Sequence, residues 1–189
     1  MKYVRGLLLG ALLALPGLGH GQDPEDKVTC RIVYVPTGQA VVEKMLEMAK
    51  VTKNDIVYDL GCGDGRIVCT AAKKYGAKGV GIDIDPERIK DSLQTMKKFG
   101  VTKDQVEIRQ GDALRVKDLG RATVITFYML PEFMEKLEPQ VKKLKAGTRL
   151  VAHDYPFPNL EPDQVVEFDT ADGDRPRFLY LWTIKEKKK

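Results

Sequence analysis

The stretch VYDLGCGDGRIV, Val57 to Val68, sets Gly61, Gly63 and Gly65 at alternate positions behind a short apolar run that carries an acid, Asp59. A loop without side chains lets its backbone lie very close to a ligand. A dinucleotide site asks for G-x-G-x-x-G, with a pyrophosphate resting on the helix that follows. Here the third glycine comes one position early, and Asp59 would repel a pyrophosphate. An acid in that place suits a cationic amino group instead. Two further acids stand at matching places: Asp83 closes GVGID, and Asp112 lies in RQGDAL. A carboxylate at Asp83 can accept hydrogen bonds from both hydroxyls of a ribose. One at Asp112, beside backbone N–H groups, could read the amino edge of an adenine.

These acids need a scaffold that brings three strand ends together. After an extended entry and a turn at Pro36, Val41, Val42, Met45, Leu46 and Met48 recur at helical spacing, and Thr37 is a candidate N-cap. Strands are expected at 55–60, 79–83, 106–110, 122–128 and 148–153. Helices are expected at 66–75, at 86–99 between Pro86 and Gly100, and at 131–145 before Gly147. QVVEFDT and RFLYLWTI flank a turn at 172–174 and read as an antiparallel hairpin. Short apolar strands alternating with helices imply an α/β fold. We expect a Rossmann-like doubly wound sheet, mostly parallel, with an antiparallel C-terminal hairpin strand. Ligands in such sheets bind beyond the carboxyl ends of the strands, near the switch in strand order.

Composition narrows the chemistry. With 189 residues, 43% hydrophobic and 31% charged, the chain has the make-up of one globular domain, placed at 32–184 and followed by a basic tail at 185–189. The only serine is Ser92, within a lysine-rich helical stretch, and the histidines are His20 and His153. A Ser-His-Asp hydrolase has no strand-turn-helix elbow to use, and no histidine-rich metal centre can be assembled. The three cysteines, Cys30, Cys62 and Cys69, form no C-x-x-C pair. Residues 1–22 have the parts of an export signal: Lys2 and Arg5, an apolar run from Gly6 to Leu15, a break at Pro16-Gly17, and small residues Gly19 and Gly21. That run is shorter than the roughly 20 residues a bilayer span needs. We read a signal peptide and an exported protein, the alternative being an uncleaved membrane anchor. Losing Lys2 and Arg5 would lower the formal charge of +4 by two, to +2, too little to argue for nucleic acid.

An amino acid, a ribose and an adenine, each met by one strand-end acid, together describe S-adenosylmethionine. DLGCGDGRI, GIDIDP and QGDAL resemble the three cofactor motifs of class I S-adenosylmethionine-dependent methyltransferases. The resemblance spans about residues 32–184, and the terminal hairpin matches that fold's antiparallel last strand. It implies that Asp59, Gly61, Cys62, Gly63, Asp83, Ile84, Asp112 and Ala113 line a cofactor site. YVPTGQAVVEKML, DGRIV and HDYPFP further resemble small bacterial methyltransferases of unassigned substrate related to the mitochondrial protein-lysine methyltransferases. That likeness implies Tyr34, Pro36 and Thr37 beside the cofactor; a plain helix entry is the other reading of these three.

The resemblance implies methyl transfer to an amine such as a protein lysine, with no nucleic-acid partner and a monomer. The N-P-P-Y motif of amino-nucleobase methylation is missing; Thr126-Phe127-Tyr128-Met129-Leu130 stands there instead. Tyr128, His153 and Asp154, near the ends of the fourth and fifth strands, could orient the amine or take its proton. Each also has an ordinary structural reading, as core or as a strand-end hydrogen-bonding group. A small-molecule acceptor and a non-catalytic adenosyl-metabolite-binding domain are the alternatives. An export signal sits uneasily with a cofactor made in the cytoplasm.

Overall fold

The computed structural model describes residues 34–169 and 175–186. The leader, Cys30, the hairpin turn at 172–174 and the last three lysines lie outside the described residues. Seven strands form one sheet: β1 (Ile56–Leu60), β2 (Lys78–Asp83), β3 (Val106–Gln110), β4 (Val124–Phe127), β5 (Arg149–His153), β6 (Gln164–Phe168) and β7 (Arg177–Thr183). Their order is β3-β2-β1-β4-β5-β7-β6. β1 to β5 run parallel, and β7 enters antiparallel between β5 and β6. The order reverses between β1 and β4, which opens a crevice at their carboxyl ends. The expected Rossmann-like architecture is therefore observed.

Among the described residues four α-helices cover the sheet: α1 (Gln39–Met48), α2 (Arg66–Tyr75), α3 (Pro86–Phe99) and α4 (Pro131–Val141). Residues alternate between the two faces. Val57, Val124 and Val151 pack with α1 and α2, while Tyr58, Ile125 and Leu150 pack with α4. The period of two carries the first row on to Asp59, Thr126 and His153, so three polar side chains end the α1/α2 face of the central strands. All three are buried.

Local chemistry explains most helix ends. Asp85 caps α3 by accepting from the Glu87 N–H at 2.8 Å, Pro86 opens the helix, and Gly100 closes it at φ +67. α1 differs from expectation. Gly38, not Thr37, occupies its N-cap and makes no side-chain cap bond. The Thr37 hydroxyl turns inward to His153 instead, at 3.2 Å. α4 stops at Val141 rather than at 145. Beyond it the Lys143 and Leu144 N–H groups bond three residues back, to Gln140 and Val141, tightening the last turn well before Gly147.

One aromatic cluster anchors the chain after β5. Phe157 packs edge-on against Phe127 and Trp182, with ring centroids 5.3 and 5.2 Å apart. The Trp182 indole donates to the Leu160 carbonyl at 2.7 Å. Such pairs contribute about 0.5–1.5 kcal/mol each beyond the area they bury.

Candidate functional site

The loop between β1 and α2 directs its N–H groups into the protein. Those of Gly61 and Cys62 both donate to the Ile82 carbonyl, and that of Gly65 to Cys62. The Gly63 N–H donates to Asp83 Oδ2 at 2.8 Å, and the Asp64 N–H to the Tyr34 hydroxyl at 3.3 Å. A phosphate-binding loop points such donors at its ligand. This one has engaged them all, and acids surround it. The same residues that disfavour a pyrophosphate suit a ligand that brings a positive charge.

Asp59 lies beneath the loop and is 2% exposed. Its Oδ1 accepts from the Thr126 hydroxyl at 2.7 Å. Burial pushes its carboxyl up to about 7 despite that bond, and Asp83 and Asp64 add to the rise. When ionised, a carboxyl buried here would favour a nearby cation through its field.

Asp83 closes β2. Its Oδ1 accepts from the Asp85 N–H at 3.0 Å while Oδ2 holds Gly63. A carboxylate offers about four lone-pair sites, so a ribose would still find acceptors there. Ile84, next in sequence, is 46% exposed and flanks that position with an apolar side chain. Asp112 accepts from the Leu114 N–H at 2.8 Å, ordering a turn that buries Ala113. Asp83 and Asp112 are brought near each other by the Gly111 N–H, which donates to the Asp83 carbonyl at 2.9 Å.

Tyr34 covers the loop. A Cβ built on Gly63 would meet the Tyr34 ring at 2.3 Å, so the ring lies where a side chain would otherwise stand. The Arg88 guanidinium sits 4.5 Å from the centroid of that ring. Arg66 fixes the approach: it forks onto Asp64 and donates through Nη1 to the Thr37 carbonyl at 2.9 Å. Pro36 is exposed, while Thr37 is buried beside the glycine loop's helix. A cavity of about 460 Å³ lies between Tyr34 and the Asp91–Lys98 stretch of α3, beside the strand ends rather than over them.

Two residues here escaped the sequence reading. Ser92, buried on α3, donates to the Gly63 carbonyl at 2.8 Å and lies 3.8 Å from the Cys62 sulfur. Met129 lies over Gly61, 3.5 Å from where a Cβ would stand. A lone serine on a buried helix face and an apolar residue after β4 were the available signals.

On the β4–β5 side, Tyr128, His153 and Asp154 are brought together. The Tyr128 and His153 rings stack with centroids 4.0 Å apart, and Tyr155 lies nearly parallel to Tyr128 at 6.2 Å. His153 is 2% exposed. Burial depresses its imidazole to about 4, aided by Arg177 and Arg175 against the pull of Asp154. Asp154 has φ +62, and the Tyr155 N–H bonds back to the His153 carbonyl at 2.8 Å. That is a γ-turn in its rarer, strained form. The Asp154 carboxylate accepts from Arg175 at 2.6 Å and from the Phe178 N–H at 3.1 Å. Burial works against its charge, but these donors prevail and hold it below the usual carboxylate range.

Residues 59–164 match the ANTKMT methyltransferase domain. The chain is 44% identical to a protein-lysine N-methyltransferase of Saccharolobus islandicus, over 83% of this chain and 96% of that one. It is 32% identical to an ATP synthase lysine N-methyltransferase of Xenopus laevis, over 85% of this chain and 70% of that one. The crystal structure of an RNA methyltransferase from Salinibacter ruber, in complex with S-adenosylhomocysteine, superposes with TM-score 0.74. It shares 44% identity over 82% of this chain and 97% of that one.

Proposed function

The chain belongs to the ANTKMT methyltransferase domain family of S-adenosylmethionine-dependent methyltransferases, and from that premise we propose that its acceptor is a protein lysine. The observation that carries the acceptor is the 44% identity to a protein-lysine N-methyltransferase across nearly the whole of that relative.

We assign the cofactor's parts to the three strand-end acids. Asp83 takes the ribose, with Ile84 alongside. Asp112 and Ala113 take the adenine, and the Gly61–Gly63 loop over Asp59 takes the amino-acid end. Bound there, S-adenosylmethionine supplies a methyl group on a sulfonium, whose departure leaves a neutral thioether. The protein's part is then chiefly placement and exclusion of water. Met129 and Tyr128, after β4, lie where the acceptor amine would approach. The amine must arrive uncharged. His153 is buried and Asp154 is engaged by three donors, so neither is placed to take its proton, which is lost to water before transfer.

A second reading rests on the Salinibacter ruber RNA methyltransferase, equally similar to this chain. One experiment separates the two. The full chain is incubated with methyl-labelled S-adenosylmethionine and, separately, with a cell protein extract and with purified cellular RNA. Label recovered as methyl-lysine supports the proposal, and label in RNA alone replaces it. No label in either, while S-adenosylhomocysteine binds by calorimetry and Asp83→Ala abolishes that binding, points to an adenosyl-binding domain without turnover. The leader adds a proposal about place. The protein is exported or anchored, and transfer happens where cytoplasmic cofactor can reach it. Cell fractionation with an antibody to the domain tests this.

A further inference from the structure

Three features at the end of β5 stand outside the cofactor assignment above. The Nε2 of His153 is buried and finds no hydrogen-bond partner among the described residues. An unpaired buried ring nitrogen costs about 1–3 kcal/mol, so its retention asks for a reason. The next residue, Asp154, is held at positive φ in a strained turn. The imidazole face, moreover, lies flat against Tyr128.

The two ring nitrogens face different groups. Nδ1 is 3.2 Å from the Thr37 hydroxyl, 116 residues away in sequence. Nε2 is 3.6 Å from Asp154 Oδ2. A proton on Nδ1 would leave the Nε2 lone pair facing a carboxylate in a buried site, which is repulsive. A proton on Nε2 makes that contact attractive and leaves Nδ1 free to accept from Thr37. The imidazolium is disfavoured by burial and by the cations of Arg175 and Arg177, with Arg175 paired to Asp154 at 2.6 Å. A proton on Nε2 would in this arrangement face Asp154, 3.6 Å away, rather than a ligand.

We propose that His153 is a positioning residue for methyl transfer: a neutral imidazole, protonated on Nε2, that spans Thr37 and Asp154 and sets the ring of Tyr128 from beneath. Thr37 follows Tyr34, whose ring covers the glycine loop, and Asp154 is tied by Arg175 to the β6–β7 hairpin. One imidazole thereby joins the cofactor wall to the acceptor wall. Only this joining role rests on the cofactor assignment above; the tautomer and the placement of Tyr128 do not.

The test uses nitrogen-detected NMR of the imidazoles in the full chain, with His20→Gln to assign the two histidines. From pH 5 to 9 His153 should remain neutral with its proton on Nε2. A proton on Nδ1, or titration near the ordinary histidine value of about 6.5, overturns the proposal. Flipping of the Tyr128 ring is then followed. It should quicken at least about tenfold in His153→Leu and return toward the native rate in His153→Phe, which restores a flat ring. Equal flipping in the native protein and His153→Leu overturns the positioning role, whatever happens to the melting temperature. Saturating S-adenosylhomocysteine should shift the His153 Nδ1 resonance. No shift at a saturation proven by calorimetry refutes the coupling. No calorimetric binding refutes the cofactor assignment and with it the joining role, while the tautomer and ring-flip results still stand.

Discussion

Gly63→Ala is the sharpest probe of how the loop and its cover are built. Gly63 has φ +55, a conformation that costs an L-residue about 1–2 kcal/mol. Its new methyl would also lie 2.3 Å from Tyr34 Cε2, so the ring must leave. Leaving forfeits the 3.3 Å bond from the Asp64 N–H, at about 0.5–1.5 kcal/mol, and the Arg88 contact, at about 0.5–1 kcal/mol. The total is about 2–4.5 kcal/mol. Gly100→Ala supplies the reference, because Gly100 has φ +67 and nothing within 4 Å of its Cβ position, which isolates the backbone cost. Urea unfolding of both variants should therefore show Gly63→Ala worse by about 1–2.5 kcal/mol. In a Tyr34→Ala background that excess should vanish, since there is no ring left to displace. Equal losses at positions 63 and 100, or an excess that survives removal of the ring, would refute the packing argument.

Two further outcomes follow from buried groups. Asp59 stands at about 7 in the fold against an ordinary 3.8, so the folded protein binds its proton more tightly than the unfolded chain does. Its contribution is full below about pH 4 and is lost as pH rises through 7. Asp59→Asn keeps an acceptor for Thr126 and removes the titration, so thermal melts should show it gaining on the parent between pH 5 and 8, by about 2–3 kcal/mol. A difference that does not change with pH would sink this account. In the parent, S-adenosylmethionine should also bind more tightly above pH 7 than below it, and calorimetry should find that trend flattened in Asp59→Asn. Ser92→Ala strips the buried Gly63 carbonyl of its donor and should cost about 1–3 kcal/mol in urea. A loss under about 0.5 kcal/mol would mean that the serine does not hold the loop.

What could be read in the sequence was local. Pro86 and Gly100 bound α3 because the proline fixes φ and the glycine accepts a left-handed turn, both properties of single residues. The strand-end acids were legible for a related reason: short apolar runs fix where strands stop, and Asp59, Asp83 and Asp112 fall at or just beyond three of those ends. The unreadable parts depend on partners far along the chain. Thr37 looks like a helix cap until His153 arrives from 116 residues away. Asp59 shows no partner in the sequence until Thr126, 67 residues on, donates to it. The turn at Asp154 has no glycine or asparagine to announce it; its positive φ is held by donors from Arg175 and Phe178 on the returning hairpin.

The reversal of strand order between β1 and β4 divides the labour of the sheet as well as its geometry. The acids and glycines assigned above to the cofactor all stand on β1, β2, β3 and the loops after them. The aromatic rings and arginines on the proposed acceptor side stand on β4, β5 and the hairpin. A lineage can therefore exchange its workpiece by drifting on one flank while the other stays under constant selection. Near relatives with lysine and with RNA in their names are what such a bench with one fixed and one movable jaw would leave behind. The imidazole of His153 is the pin between the jaws, and drift there would be felt on both sides at once.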